Sequence, residues 1–356
     1  MNRVRYRQID VLSLLLSAAI LMLSWPSPSV AQEPTTMSGV QLRPGVIIDP
    51  DRRLAYVMSP EGGTVAVGLD DGGEAWSTME AAKPLALVGD LLVAQAPPSD
   101  AGNDLQMVVL DTEQQGRRVV ADVMELPAGT RVSIDETLNS SFVADARAFA
   151  GDAVVFWEYS ERLMQGTPPE EEILGMPPEQ EILGMPPEEE IRGEPTINGR
   201  AAAERNTGAF LIDLPSGAMS PLPPEEVVVA PAQRGAELAV AERLPGVPEP
   251  QLLSADGRHV LSSERVADDS VWEKYLWTIY DRGTGEPIGE FRTFESLAPF
   301  FVSGSQVIYE TPPYTRQVQG NLIEEPLKIR AVDLSTGEEV WSREVRDTTY
   351  RGPFPP

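Results

Sequence analysis

The sequence predicts an all-β protein: a β-propeller of about six blades (range five to seven), built from four-stranded antiparallel sheets and carrying one long disordered acidic loop. The first observation is a hairpin that recurs five times. An apolar run meets an Asp and then a few residues ending in Gly, as in VAVGLDDGGEAW around Asp70, LQMVVLDTEQQG around Asp111, GAFLIDLPSG around Asp213, LWTIYDRGTG around Asp281 and IRAVDLSTGEEVW around Asp333. Apolar alternation running into such a turn reads as a strand entering a tight reversal, with Asp bonding nearby backbone and Gly taking positive φ. The second is spacing: Asp70 to Asp111 and Asp281 to Asp333 are each about one blade apart. The third is an interruption. The wide gap from Asp111 to Asp213 shrinks toward blade length once 161–200 is read as an insertion.

The chain opens on a segment with the layout of a secretory signal, residues 1–31. Arg3, Arg5 and Arg7 precede an apolar run from Val11 to Leu23, and Ser29-Val30-Ala31 supplies the small residues of a cleavage site. That run is shorter than the roughly 20 residues a membrane span needs, so cleavage is expected over a retained anchor. The mature protein is therefore expected to be exported, periplasmic or extracellular, with no stable membrane span. Residues 32–45 read as a lead-in and 46–350 as the propeller. Blade one covers Val46–Trp76, where IIDPDRRLAYVMS is a strand pair and TVAVGL a third strand. Blade two covers about Leu85–Val123, with LVGDLLVAQA and LQMVVLD each read as one strand. Blade three begins near Thr130, shows AFAGDAVVFWEY as its inner strand, and resumes at GAFLIDLPSG. PQLLSADGRHVLSSERV belongs to blade four, and FFVSGSQVIYE to blade five. EEVVVAPA, Glu225–Ala232, is a candidate strand of a further, decayed blade, and 351–356 is a Pro-rich tail.

Within 161–200 stand PPEEEILGM, PPEQEILGM and PPEEEIRGE, three near-identical units. Paired prolines oppose helix and central strand, and clustered Glu residues repel one another, so a solvated loop within blade three is expected. It reads as a tolerated loop expansion or as a docking tail, in which case Ile173, Leu174, Ile182 and Leu183 are the partner-binding residues.

AVDLSTGEEVW, Ala331–Trp341, resembles the repeat of the PQQ-like (quinoprotein-like) β-propeller superfamily. In that repeat an Asp opens the turn, Thr-Gly closes it, and a Trp four residues after the Gly packs between blades. Gly72 and Trp76 keep the spacing, while Val120, Pro221 and Gly289 stand at the Trp position of the other turns. IDPDRRLAYV and LSADGRHVL look more like the hairpins of Tol-system and surface-layer propellers. The resemblance implies the fold; it also implies comparison with quinone-dependent dehydrogenases and with a propeller lipoprotein of outer-membrane protein assembly.

Composition narrows the function. The net charge is −27, with three lysines (Lys83, Lys274, Lys328) among 28 basic residues, a field that repels nucleic acid and acidic lipid. There is no cysteine, hence no disulfide, thiolate nucleophile or lipid-bearing Cys. The one histidine, His259, cannot build a multi-His zinc site and accompanies no GxSxG elbow. Asp49 with Asp51, or Asp268 with Asp269, could offer oxygen to calcium but sit in no EF-hand pattern. Trp76, Trp157, Trp272, Trp277 and Trp341 read as inter-blade core before sugar-stacking platforms. The repeated Asp residues read as turn caps. No catalytic, cofactor-binding or metal residue is therefore assigned and no cofactor is expected. The resulting expectation is a non-catalytic scaffold binding an envelope protein or polymer; the alternative is a propeller enzyme, quinone-dependent or a carboxylate glycosidase.

Overall fold

A computed structural model describes residues 39–98, 103–135, 140–161, 204–223, 242–266, 274–294, 299–318 and 321–348, all within one compact unit, Met37–Pro356. Every regular element in them is a strand. The first sheet has five strands in sequential order, β1 (Val40–Arg43), β2 (Val46–Asp49), β3 (Leu54–Met58), β4 (Thr64–Gly68) and β5 (Glu74–Thr78). The second has β6 (Lys83–Val88), β7 (Leu91–Gln95), β8 (Asp104–Asp111) and β9 (Arg117–Glu125). β10 (Ser140–Phe149), β11 (Asp152–Glu161), β12 (Glu204–Ile212) and β13 (Met219–Leu222) form the third, and β14 (Gln251–Leu253), β15 (His259–Val266), β16 (Lys274–Asp281) and β17 (Pro287–Thr293) the fourth. The fifth pairs β18 (Phe300–Ser303), β19 (Gln306–Thr311), β22 (Lys328–Asp333) and β23 (Glu339–Glu344). A separate hairpin, β20 (Tyr314–Val318) and β21 (Asn321–Glu325), interrupts it between β19 and β22. All pairings are antiparallel and follow chain order within each sheet, the meander of a propeller blade. Residues 162–203 lie between β11 and β12, and the β20–β21 hairpin between β19 and β22, while the other paired strands have shorter connections.

The protein is a β-propeller, and its described residues supply five blade sheets. The stretch read as a further strand, Glu225–Ala232, lies outside the described residues, as does the nine-residue repeat. Three local readings change. LVGDLLVAQA is two strands, because Gly89-Asp90 makes a two-residue turn with Gly89 at φ 58°. AFAGDAVVFWEY likewise splits at Ala150-Gly151. The first sheet begins at Val40, inside the segment expected as a lead-in, because Val40 and Gln41 pair with Ile48 and Ile47.

Inner and outer strands sort by burial. β9 is exposed along most of its length, whereas β2 and β18 are buried at every position. β6 touches both β1 and β10, and Gln41 of β1 bonds Asp145 of β10, so these edges face the axis. Four apolar clusters fill the spaces between sheets. Leu42, Ile48, Val67, Ile308, Ile329 and Trp341 join the first to the fifth. Tyr56, Ala66, Trp76, Leu92 and Leu110 join the first to the second. Val93, Met107, Phe142, Val155 and Trp157 join the second to the third, and Trp277, Phe291, Phe300 and Tyr309 join the fourth to the fifth. Among the described residues no such cluster joins the third to the fourth.

Candidate functional site

The recurrent turn is where sequence and architecture meet. Asp333 Oδ1 accepts the backbone N–H groups of Ser335 (2.8 Å) and Thr336 (3.1 Å), and Gly337 N–H returns to the Asp333 carbonyl at 2.7 Å. Gly337 has φ 72°, a left-handed conformation open to Gly at little cost. Asp281 and Asp213 repeat the pattern through Thr284 (2.8 Å) and Ser216 (3.4 Å), and Asp111 caps Gln114 (3.0 Å). These hydrogen bonds hold Asp333 at a pKa of about 2, led by the Ser335 hydroxyl and amide, and lower Asp281 through Thr284. The first turn departs from expectation. Gly72 N–H bonds Gly68 O, so Gly68 occupies the Asp position; Asp71 caps Gly73 at 2.8 Å, while Asp70 pairs with Arg53.

Three of the turn glycines also receive a side chain from the preceding sheet. Trp341, four residues after Gly337, lies on Gly72, where a Cβ would come within 2.8 Å of it, and its indole N–H donates to Leu69 O at 2.8 Å. Trp76 covers Gly116 in the same way (2.5 Å), and Val120 covers Gly217 (1.7 Å). Gly289, in the fourth sheet, meets Leu334 of the fifth (2.5 Å). The series breaks twice: Gly289, at the Trp position of the fourth sheet, has no side chain to seat on Gly337, whose added Cβ would meet only Glu290 O and Phe291 Cβ at 3.8 and 3.9 Å. Pro221 of the third sheet has the equivalent position, yet a Cβ on Gly285 of the fourth would meet nothing within 4 Å. The tryptophans among the described residues thus sit in the inter-sheet clusters, with Trp277 fully buried. Trp272 lies outside the described residues.

Polar chemistry gathers toward the axis. Arg43, 8% exposed, lies 3.4 Å from Glu310 and 3.7 Å from Asp347. Gln41 donates to Asp145 of the third sheet at 3.2 Å, and Arg346 pairs with Asp135. One short strand, β1, thereby links three parts of the molecule. Burial pushes the Glu310 carboxyl above its ordinary pKa, Arg43 pulls it down and Asp347 pushes it up. Gln41 Oε1 and Gln95 Oε1 are buried without a hydrogen-bond donor. Sequence reasoning missed this cluster, since its members are scattered along the chain and share no local pattern.

His259 belongs to a turn cluster whose residue types resemble a hydrolytic triad and whose geometry does not. Ser254 Oγ donates to Asp256 Oδ1, and His259 Nδ1 lies 3.9 Å from that same oxygen. A nucleophile needs its imidazole between hydroxyl and carboxylate; here the carboxylate stands in the middle. The Ser254 oxygen also accepts His259 N–H at 2.9 Å, which makes the cluster a turn fastener. Asp49 is fully buried and accepts Arg52 N–H (3.0 Å) and the Tyr56 hydroxyl (3.1 Å). Among the described residues no three acidic or histidine side chains form a metal-holding group. Asp268, Asp269, Ile173, Leu174, Ile182 and Leu183 lie outside the described residues.

The broken junction carries a cleft of about 360 Å³ on the third sheet, lined by Val143, Asp145, Phe156, Trp157, Glu158, Thr207, Gly208 and Ala209. Register explains it: Val143, Glu158 and Thr207 are neighbours across β10, β11 and β12, as are Asp145, Phe156 and Ala209. The opposite face of the same strands, with Phe142, Val155 and Phe210, is buried against the second sheet.

No family model and no curated protein matches the chain. Solved structures similar to it include TolB from Acinetobacter baumannii, at 13% identity and TM-score 0.23, over 82% of this chain and 51% of that one. Another is the Cps50 (Swd1) β-propeller domain of Myceliophteria thermophila, at 10% identity and TM-score 0.23, over 84% of this chain and 85% of that one. A quinohemoprotein alcohol dehydrogenase from Pseudomonas putida HK5 matches at 9% identity and TM-score 0.18, over 82% of this chain and 57% of that one. The chain spans about half the length of the TolB structure. These low scores carry no functional argument; the propeller assignment rests on the sheets themselves.

Proposed function

We propose that this is an exported β-propeller acting as a non-catalytic binding or assembly scaffold of the cell envelope. The observation that carries the reading is how its carboxylates are used. Asp111, Asp213, Asp281 and Asp333 cap turns, and Asp49, Asp70, Asp135 and Asp256 are held by neighbouring amides, hydroxyls or Arg side chains, positions that build architecture. Export is supported by the layout of residues 1–31, and repulsion of nucleic acid by the net charge of −27. Affinity capture from an envelope extract, run beside assays of dye-linked oxidation with added quinone and calcium and of glycan cleavage, tests it. Capture of a defined envelope protein without turnover is expected; saturable turnover would overturn it.

One observation favours the enzymatic alternative, a carboxylate glycosidase. Glu310 is a buried carboxyl with a raised pKa beside a second carboxylate, Asp347, near the axis, the environment in which general acids are found. Glycan turnover abolished in Glu310→Gln would establish that reading.

A further inference from the structure

We propose that the open junction beside the third sheet is a docking cleft for a short, extended, apolar polypeptide segment bearing Lys or Arg, contributed by a partner protein. The proposal rests on the scaffold reading and names the site and partner chemistry for it. Two observations place the site. Among the described residues every other sheet-to-sheet space holds an apolar cluster and a side chain pressed on a glycine across it, whereas Gly285 has nothing within 4 Å. The facing surface of the third sheet is open at the Val143 end, where Val143, on a strand whose other face is core, is 37% exposed, and closed at Val154, which is 3% exposed.

Lining chemistry selects the occupant. The floor is Val143, Phe156 and Ala209; the Trp157 indole lies on the other face of the sheet, within the cluster shared with the second sheet. Both charged residues of the lining, Asp145 and Glu158, are carboxylates. Glu158 is 46% exposed, and its contact with Arg205, itself 71% exposed, is a single 3.4 Å approach, a surface pair weak enough to be exchanged. An apolar floor under carboxylates suits apolar side chains alternating with cationic ones, and the strongly negative molecule draws such a segment in. The cleft crosses three strands spaced about 4.8 Å apart, a span of about 10 Å that about three extended residues cover.

The test uses the full mature protein and two fluorescein-labelled probes, acetyl-(Lys-Val)₃-amide and acetyl-(Glu-Val)₃-amide, read by anisotropy. The basic peptide is expected to bind and the acidic one not. Glu158→Lys and Val143→Lys should each weaken the basic peptide by about tenfold through like-charge contact. Glu338→Lys, the same charge change on the fifth-sheet turn, should alter affinity less than about twofold. Unchanged thermal melts keep the variants interpretable. Equal losses in Glu338→Lys and Glu158→Lys would overturn the proposal, because the overall field alone would then be binding. Binding that emerges only when residues 225–240 are replaced by a short Gly-Ser linker would also overturn it, assigning the cleft to the chain itself. Loss of the cleft in either way leaves the scaffold reading to its own capture and turnover assays.

Discussion

The junction between the fifth and first sheets and that between the third and fourth are built from the same repeat and end in opposite states. At the first, Trp341 fills the space over Gly72, donates to Leu69 O, and is followed by Arg343, whose Nε bonds Gly72 O at 2.9 Å. At the second, the Trp position holds Pro221, which has no indole to project, and no described residue lies over the receiving Gly285. The turn itself survives in both. Its Asp cap and positive-φ Gly are local devices satisfied by their own backbone, whereas the lock needs a large side chain from another sheet. Blade formation and blade joining thus rest on different contacts.

The largest expected effect follows from removing the intact lock. Trp341→Ala should cost about 3–5 kcal/mol in urea denaturation, the range for truncating a buried aromatic, while Pro221→Ala should stay within about 0.5 kcal/mol, as for surface sites. Comparable losses at the two positions would break the contrast. Next come the receiving glycines, Gly72 and Gly285, whose φ values of 68° and 74° impose similar backbone strain on alanine. That strain is about 1–2 kcal/mol at either site, and Gly72→Ala should exceed Gly285→Ala because its methyl would meet Trp341. A finer division separates the two tryptophans. Trp341→Phe forfeits a buried hydrogen bond, a loss of about 1 kcal/mol or more with Leu69 O left unpaired. Trp76 Nε1 has no partner, so Trp76→Phe should cost less.

Two carboxyl groups give effects of opposite sign with pH. Glu310 binds its proton more tightly folded than unfolded, chiefly through burial. Its contribution therefore disfavours the fold as pH rises through the ordinary value of 4.5, and Glu310→Gln should remove that component from a plot of melting temperature against pH. Asp333, lowered from 3.8 to about 2, favours the fold above its ordinary value and loses that effect as pH falls toward 2; Asp333→Asn should flatten this acid limb. A limb unchanged in Asp333→Asn would mean that its capping hydrogen bonds form equally well in the unfolded chain.

What could be read from sequence divides along the same line. The turns at Asp111, Asp213, Asp281 and Asp333 were legible because each cap lies within a few residues of its Asp. The first was misplaced by the double Asp, since Gly68 had taken the capping position and Asp71 the hydrogen bond. The propeller class was legible from repetition. β1 was not, because four residues of mixed polarity become a strand only through pairing with β2 and the ion contacts of Arg43. The Glu310–Arg43–Asp347 group and the open face of the third sheet depend on strands far apart in the chain. Local patterning cannot report either.

The open junction is tested most directly by two adjacent residues of β10, in a chain that has no cysteine of its own. Val143 faces the cleft at 37% exposure, and Ala144 faces the core at 1%. In native buffer Val143→Cys should react with an alkylating reagent at a rate close to that of an unfolded thiol, and Ala144→Cys only on unfolding. Protection of both thiols would show the third sheet covered on both faces and contradict the account.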